Sequence, residues 1–256
     1  MRLIDTHTHL YLKDFKDDID SVINKARSIG VEKFYLPAID SSELSNLISL
    51  EKKYPGVCIA MMGLHPCSVK ENYEEEMRSI ENLLEEREFA AIGEIGLDFY
   101  WDKTFTEQQF ECFHRQIKLA LKYKIPINIH SRNALDEAID VVKQYFSEGV
   151  RGIFHCFGGT IEQANKIVSL GFYLGIGGVV TYKKSGLAEV LSQVDLKHIV
   201  LETDSPYLTP VPYRGKRNES SYLLPIVTRI AEIKCITVAE AAGITTQNAE
   251  ALFSKA

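Results

Sequence analysis

The chain has 256 residues, 45% hydrophobic, 25% charged and 10% aromatic, the composition of an ordinary soluble globular protein with no sign of disorder. Its formal net charge of −6 argues against a broad basic surface for nucleic acid, but leaves room for local phosphate binding through a metal. The five scattered cysteines show no C-x-x-C spacing, and neither an N-terminal signal pattern nor an apolar run of membrane-spanning length is present, so a reducing, cytoplasmic setting away from membranes is expected.

Along the chain, short apolar β-rich runs alternate with longer amphipathic ones. Strands are expected at 2–6, 32–37, 57–63, 89–95, 126–130, 151–156, 172–176 and 198–203. Helices are expected near 17–29, 42–54, 73–87, 106–124, 134–147, 160–170, 185–193 and 222–234. This alternation predicts an α/β fold, a closed (β/α)8 TIM barrel, with an open doubly wound sheet as the alternative. No Pro-, Gly- or Ser-rich linker divides the chain, so residues 1–256 read as a single domain. In the tail, cap-like Thr237 and Thr245 precede short apolar-periodic stretches, which predicts extra C-terminal helices against the barrel.

The first expected strand leads into "LIDTHTHL", residues 3–10. Side chains at i and i+2 of a strand share a side, so His7 and His9 converge, with Asp5 beneath them. Such a pair suits a metal ion; taken alone, the stretch suits a polar strand edge equally well. Further along, His65 follows strand three, Glu94 lies at strand four, His130 and His155 end strands five and six, and Asp204 follows strand eight. In a barrel these C-terminal strand ends form one rim, where active sites are built. Five of the seven histidines fall there, whereas His114, within a helix, and His198, at the far end of strand eight, read as structural or solvated. His65 stays open between ligand, acid and loop residue.

The segments "IDTHTHL", "GLHP", "GEIGLDFY", "IPINIHSR", "FHCFGG", "LETDSPYLTP" and "PYRGKRNES", in this order and spacing, resemble the TatD family of metal-dependent hydrolases, within the amidohydrolase superfamily, over essentially the whole chain. The resemblance implies a TIM barrel with a two-metal centre and phosphodiester-cleaving activity of the DNase or 3′–5′ exonuclease kind. By position it implies that His7, His9, Glu94 and Asp204 hold one divalent metal and Glu94, His130 and His155 the second, with Glu94 bridging. Gly158, Asn133 and Ser220 depart from the family's usual serine, aspartate and proline, and none is among those ligands.

Two divalent ions (Mg, Mn or Zn) on such a site would activate a water and stabilise a phosphoryl transition state, and its imidazoles suit Zn or Mn better than Mg. Asp204 is read as ligand and general base, and His65 as phosphate donor or leaving-group acid. Arg132 offers a fork to phosphate oxygens. Glu202, sharing strand parity with Asp204, reads either as a carboxylate orienting a ligand or arginine or as a plain buried ion pair. "PYRGKRN" clusters Arg214, Lys216 and Arg217 beside Tyr213, which is placed to stack a base or sugar. The glycine-rich "GIGGVVTYKK" lies where barrels often hold phosphate, although strand packing explains its glycines nearly as well. Phe99, Tyr100 and Trp101 either wall the pocket or cap the core. The expected partner is DNA or another nucleic-acid end over a short footprint, with no obligate protein partner evident. The alternative chemistry is amide or ester hydrolysis, such as D-aminoacyl-tRNA deacylation. A metal scaffold without catalysis ranks last, having no use for His65, Arg132 or the 213–218 loop.

Overall fold

Ile199, Val200 and Leu201 are all buried, as is every residue from Ile92 to Asp98, so these strands are covered on both faces as parallel strands require. The computed structural model describes residues 1–254. Its strands are β1 (Leu3–Asp5), β2 (Val31–Pro37), β3 (Cys58–Met61), β4 (Ile92–Asp98), β5 (Ile127–Arg132), β6 (Gly152–Phe154), β7 (Tyr173–Ile176) and β8 (Ile199–Leu201). The helices are α1 (Ile19–Ser28), α2 (Leu44–Lys53), α3 (Tyr73–Glu86), α4 (Thr106–Tyr123), α5 (Leu135–Lys143), α6 (Ile161–Ser169), α7 (Leu187–Gln193), α8 (Leu223–Lys234) and α9 (Val238–Phe253). Consecutive strands pair parallel from β1 to β3 and from β4 to β8, and together they form the (β/α)8 barrel with an added C-terminal helix.

The ladder is not continuous around the barrel. It divides into β1–β3 and β4–β8. A few backbone bonds cross the seams: Ala90 N–H donates to Ala60 O at 3.1 Å, Met62 N–H to Ala91 O at 3.1 Å and Gly93 N–H to Met62 O at 2.9 Å at one, and Thr6 N–H to Leu201 O at 3.0 Å and Asp204 N–H to His7 O at 2.9 Å at the other. Strands of three or four residues are too short to sustain a regular ladder at those joins.

Helices bury apolar stripes at helical spacing; α4 buries Cys112, Phe113, Ile117 and Ala120. The same stripe carries two buried amides, Gln109 and Gln116, that reach up to the rim. At the opposite end of the barrel, Ile4, Tyr35, Met61, Ile153 and Val200 form a separate apolar cluster closed by Ala249 and Leu252 of α9. The tail therefore folds as one helix, not several. Thr237 caps it in a reciprocal box with Glu240, whereas Thr245 lies mid-helix, its hydroxyl donating to Ala241 O at 2.9 Å.

Candidate metal centre

Each part of the centre comes from a different strand end. β1 stops at Asp5, the chain bends at Thr6 and His7, and the segment is held there by Thr8 N–H donating to Tyr35 O at 3.1 Å and His9 N–H to Ser205 O at 2.8 Å. His7 and His9 are thereby carried inward on the same side. Glu94 is not at the end of its strand as expected: β4 begins later and runs on to Asp98, and its register with β5 shifts between Ile92 and Ile95. Gly96, at φ +136°, allows the close approach to β5, since a Cβ there would lie 2.0 Å from His130 O. Asp204 adopts a left-handed backbone, φ +54°, fixed by its N–H donating to His7 O at 2.9 Å.

These elements bring His7, His9, His65, Glu94, His130, His155 and Asp204 together around one carboxylate. Glu94 Oε2 lies 3.2 Å from His7 Nε2 and 3.4 Å from His9 Nε2. Its Oε1 lies 2.9 Å from His130 Nδ1, 3.2 Å from His155 Nε2 and 3.3 Å from His65 Nε2. Asp204 Oδ1 is 3.7 Å and 3.5 Å from Nε2 of His7 and His9. Three groupings, His7/His9/Glu94, His7/His155/Asp204 and His65/Glu94/His130, each have ligand atoms within 4.8 Å of one another.

The proton positions show what the cluster fits. Tyr11 Oη donates its one proton to Pro37 O at 2.6 Å, so His9 Nδ1, 3.0 Å from that oxygen, must carry a proton. His7 Nδ1 donates in the same way to Asn128 Oδ1 at 2.9 Å. The two Nε2 atoms, 3.2 Å apart, then turn lone pairs toward each other and toward two carboxylates in a buried site. Only positive charge relieves that arrangement, and imidazoles with carboxylates make a donor set for a divalent metal. Without metal, protons would take its place. Burial opposes a charge on His9, yet Asp204 and Glu94 raise it to about 9. Burial likewise opposes charge on His155, outweighed by Glu202 and Glu94, which raise it well above the ordinary imidazole value. Burial would raise Glu94, but His65, His7 and His155 hold it well below the usual carboxylate range.

His65 is oriented differently. Its Nδ1 accepts the Cys67 N–H at 3.0 Å, leaving the ring proton on Nε2, which faces Glu94. Burial lowers its pKa and keeps the ring neutral, so it presents a hydrogen-bond donor to the centre.

Behind the cluster lies a layer of which the sequence singled out only Glu202 and Asp5. Asp98 Oδ2 lies 2.9 Å from His130 Nε2, and burial of Asp98 is outweighed by hydrogen bonds from His130 and the Trp101 and Tyr100 N–H groups, which hold it far below the usual range. Gln109 Oε1 accepts the Asp98 N–H at 2.9 Å, and Gln116 clasps Leu64 through both its N–H, at 2.7 Å, and its C=O, at 3.2 Å, fixing the segment before His65. Glu202 is fully buried; its Oε1 accepts the Cys156 N–H at 2.6 Å and sits 3.2 Å from His155 Nδ1, close but out of line for a hydrogen bond. Asp5, pushed up to about 7 by burial, accepts from the Thr203 N–H and hydroxyl at 2.9 and 2.7 Å and ties β1 to the chain after β8. The signal for Tyr11 and Asn128 was parity, since each lies two residues from a rim histidine.

Arg132 stands exposed on the rim, stacked on Tyr100. Tyr213 and Arg214 do not join the cluster. Tyr213 stacks on Tyr222 with centroids 4.1 Å apart, and Arg214 lies 4.2 Å over the Tyr182 ring and donates to Thr209 O. Arg217 pairs with Asp18 at 2.6 Å. His114 bonds Tyr145 within α4's surroundings, and His198 sits in the turn before β8.

An eight-stranded parallel barrel whose rim gathers imidazoles and carboxylates around Glu94 suits a metal-dependent enzyme, and the relatives of the chain make that class a metal-dependent hydrolase. The chain belongs to the TatD family: residues 4–254 match the family model described as TatD related DNase. It is 38% identical to the metal-dependent hydrolase YabD of Bacillus subtilis over 252 residues, covering 98% of each chain. It is 30% identical to the 3′-5′ ssDNA/RNA exonuclease TatD of Erwinia tasmaniensis, covering 98% of this chain and 100% of that one. Among solved structures it superposes on YjjV, a TatD homologue from Escherichia coli, with TM-score 0.93, 29% identity and 98% of each chain covered.

Proposed function

We propose that this hydrolase cleaves phosphodiester bonds at nucleic-acid ends, as a DNase or 3′–5′ exonuclease, using two divalent ions. The observation that carries this reading is the division of Glu94: one oxygen faces His7 and His9, the other His130 and His155. A carboxylate shared between two histidine sets suits a pair of cations; a structural site closed by four ligands needs no such sharing. The exonuclease name borne by the Erwinia relative supports the same substrate class. Bound there, two cations would neutralise phosphate charge, polarise the phosphoryl oxygen and make a water acidic near neutral pH. Asp204 then accepts the proton of the attacking water at its carboxylate while helping to hold the centre. His65 donates its Nε2 proton toward the phosphate or the leaving oxygen. Asp98 keeps His130 turned inward through its hydrogen bond, and the Glu202 carboxylate sets negative charge beside His155 Nδ1. Arg132 offers its free guanidinium to a phosphate oxygen.

The test is cleavage of 3′- and 5′-labelled single-stranded DNA by metal-stripped protein resupplied with Mg, Mn or Zn, with Asp204→Asn as control. Stepwise shortening that requires metal and is abolished in the variant is the expected result. No cleavage with any metal would overturn the reading and turn attention to carbonyl substrates, aminoacyl-tRNA first.

A further inference from the structure

The segment after β4 holds an aromatic pair that the centre itself does not use. Phe99 is partly buried and packs against Phe110 and the core, with ring centroids 6.0 Å apart. Tyr100 and Trp101 instead face solvent, 51% and 68% exposed, with their rings edge to face at 4.9 Å. Large aromatic surfaces left in water beside an active site mark a binding surface more often than a packing accident. Arg132, two residues beyond His130, lays its guanidinium carbon 3.9 Å from the Tyr100 ring centroid and 5.2 Å from that of Trp101. Among the described residues no carboxylate pairs with this guanidinium, so the rings hold its plane while its N–H donors stay available.

One carboxylate fixes this cluster relative to the centre. Asp98 Oδ1 accepts the Tyr100 N–H at 2.9 Å and the Trp101 N–H at 3.1 Å, while Oδ2 of the same side chain lies 2.9 Å from His130 Nε2. The aromatic pair is thus braced against the residue that holds His130. Resting on the phosphodiesterase reading, we infer that Tyr100, Trp101 and Arg132 form a nucleotide clamp: the open face of Trp101 stacks an unpaired base, and Arg132 holds a neighbouring phosphate. Stacking on an aromatic face tolerates any base, because every base offers a π-face. Bases inside a duplex are stacked on both faces, so the clamp favours the unstacked bases of frayed or single-stranded ends.

Trp101 is the sole tryptophan of the chain, so intrinsic fluorescence reports this surface directly. The metal-loaded full chain is titrated with a phosphorothioate thymidylate tetramer and with an abasic tetramer of the same backbone, using fluorescence and the anisotropy of end-labelled probe. Expected are saturable quenching by the thymidylate, binding of the abasic tetramer weaker by about tenfold or more, loss of that gap in Trp101→Ala, and its retention in Trp101→Phe. Equal binding of the two tetramers by the wild-type chain without quenching, or a gap that persists in Trp101→Ala, overturns the clamp and leaves the phosphodiesterase reading standing. Failure of both tetramers to bind overturns both.

Discussion

Asp98 and His130 form the closest carboxylate–imidazole contact behind the centre: Oδ2 of Asp98 lies 2.9 Å from Nε2 of His130, so the opposite ring nitrogen, Nδ1, is the one turned to Glu94. A carboxylate on the outer nitrogen fixes the ring's tautomer and makes the inner nitrogen a stronger donor. Replacing Asp98 by Asn keeps the shape and removes the charge. Metal affinity should fall about 10- to 100-fold, with the fold intact by circular dichroism. Unchanged affinity, measured by titration against a competing chelator, would show that Asp98 serves the Tyr100–Trp101 turn alone.

His65 makes a different prediction, because its Nδ1 is already occupied by the Cys67 N–H. A neutral ring held that way can donate but has no lone pair aimed at the centre. His65→Asn should therefore leave bound metal per chain as in the wild type while lowering kcat about 10²- to 10⁴-fold, the usual contribution of a positioned acid. Elemental analysis decides: a loss of one equivalent of metal would make His65 a ligand and refute the donor role.

The rim was legible in the sequence because its residues stand out chemically. Imidazoles and carboxylates at the ends of apolar runs have few other reasons to be there, and eight such runs impose the barrel that collects them. Glu94 shows the limit. Periodicity placed its strand three residues too early, since "FAAIGEI" is apolar but for Glu94 itself and gives no edge, and only the ladder with β5 sets the true end at Asp98. Asp98, Gln109 and Gln116 escaped notice for a related reason. Their importance lies in what a residue distant in sequence presents to them, and a buried glutamine on an apolar helix stripe looks like an imperfection until Leu64 is seen against it. The contacts of the basic loop were not legible either: Arg214 lies over Tyr182 and Arg217 pairs with Asp18, partners that only the fold sets beside them.

Metal binding should depend on pH with a definite sign. His9 is raised to about 9 by Asp204 and Glu94 working against burial, so below that pH the site holds a proton that a metal must displace. Apparent metal affinity should rise with pH, about tenfold per unit for each proton displaced, across the range below about 9. Calorimetry at pH 6, 7 and 8 in buffers of different ionisation enthalpy measures both the affinity and the protons released. A flat affinity across that range, with no proton release, would mean that metal and imidazole protons do not compete.

The last prediction concerns the far end of the barrel, where α9 closes the apolar cluster. Its first turn is held by Thr237, whose hydroxyl accepts the Glu240 N–H at 3.2 Å while Glu240 accepts the Thr237 N–H at 2.8 Å. Beyond that cap, Leu252 enters the cluster and Phe253 stacks on Tyr35 with centroids 3.7 Å apart. Thr237→Ala leaves an N–H of the first turn without its side-chain partner and should cost about 1 kcal/mol. For a chain of this size that corresponds to a fall in Tm of about 2–4 °C. Thr237→Ser, which keeps the hydroxyl, should recover most of it. Because α9 lies opposite the metal-centre rim, activity per folded molecule should match the wild type in both variants. A Tm unchanged in Thr237→Ala would mean that the packing of Leu252 and Phe253 alone holds the helix in place.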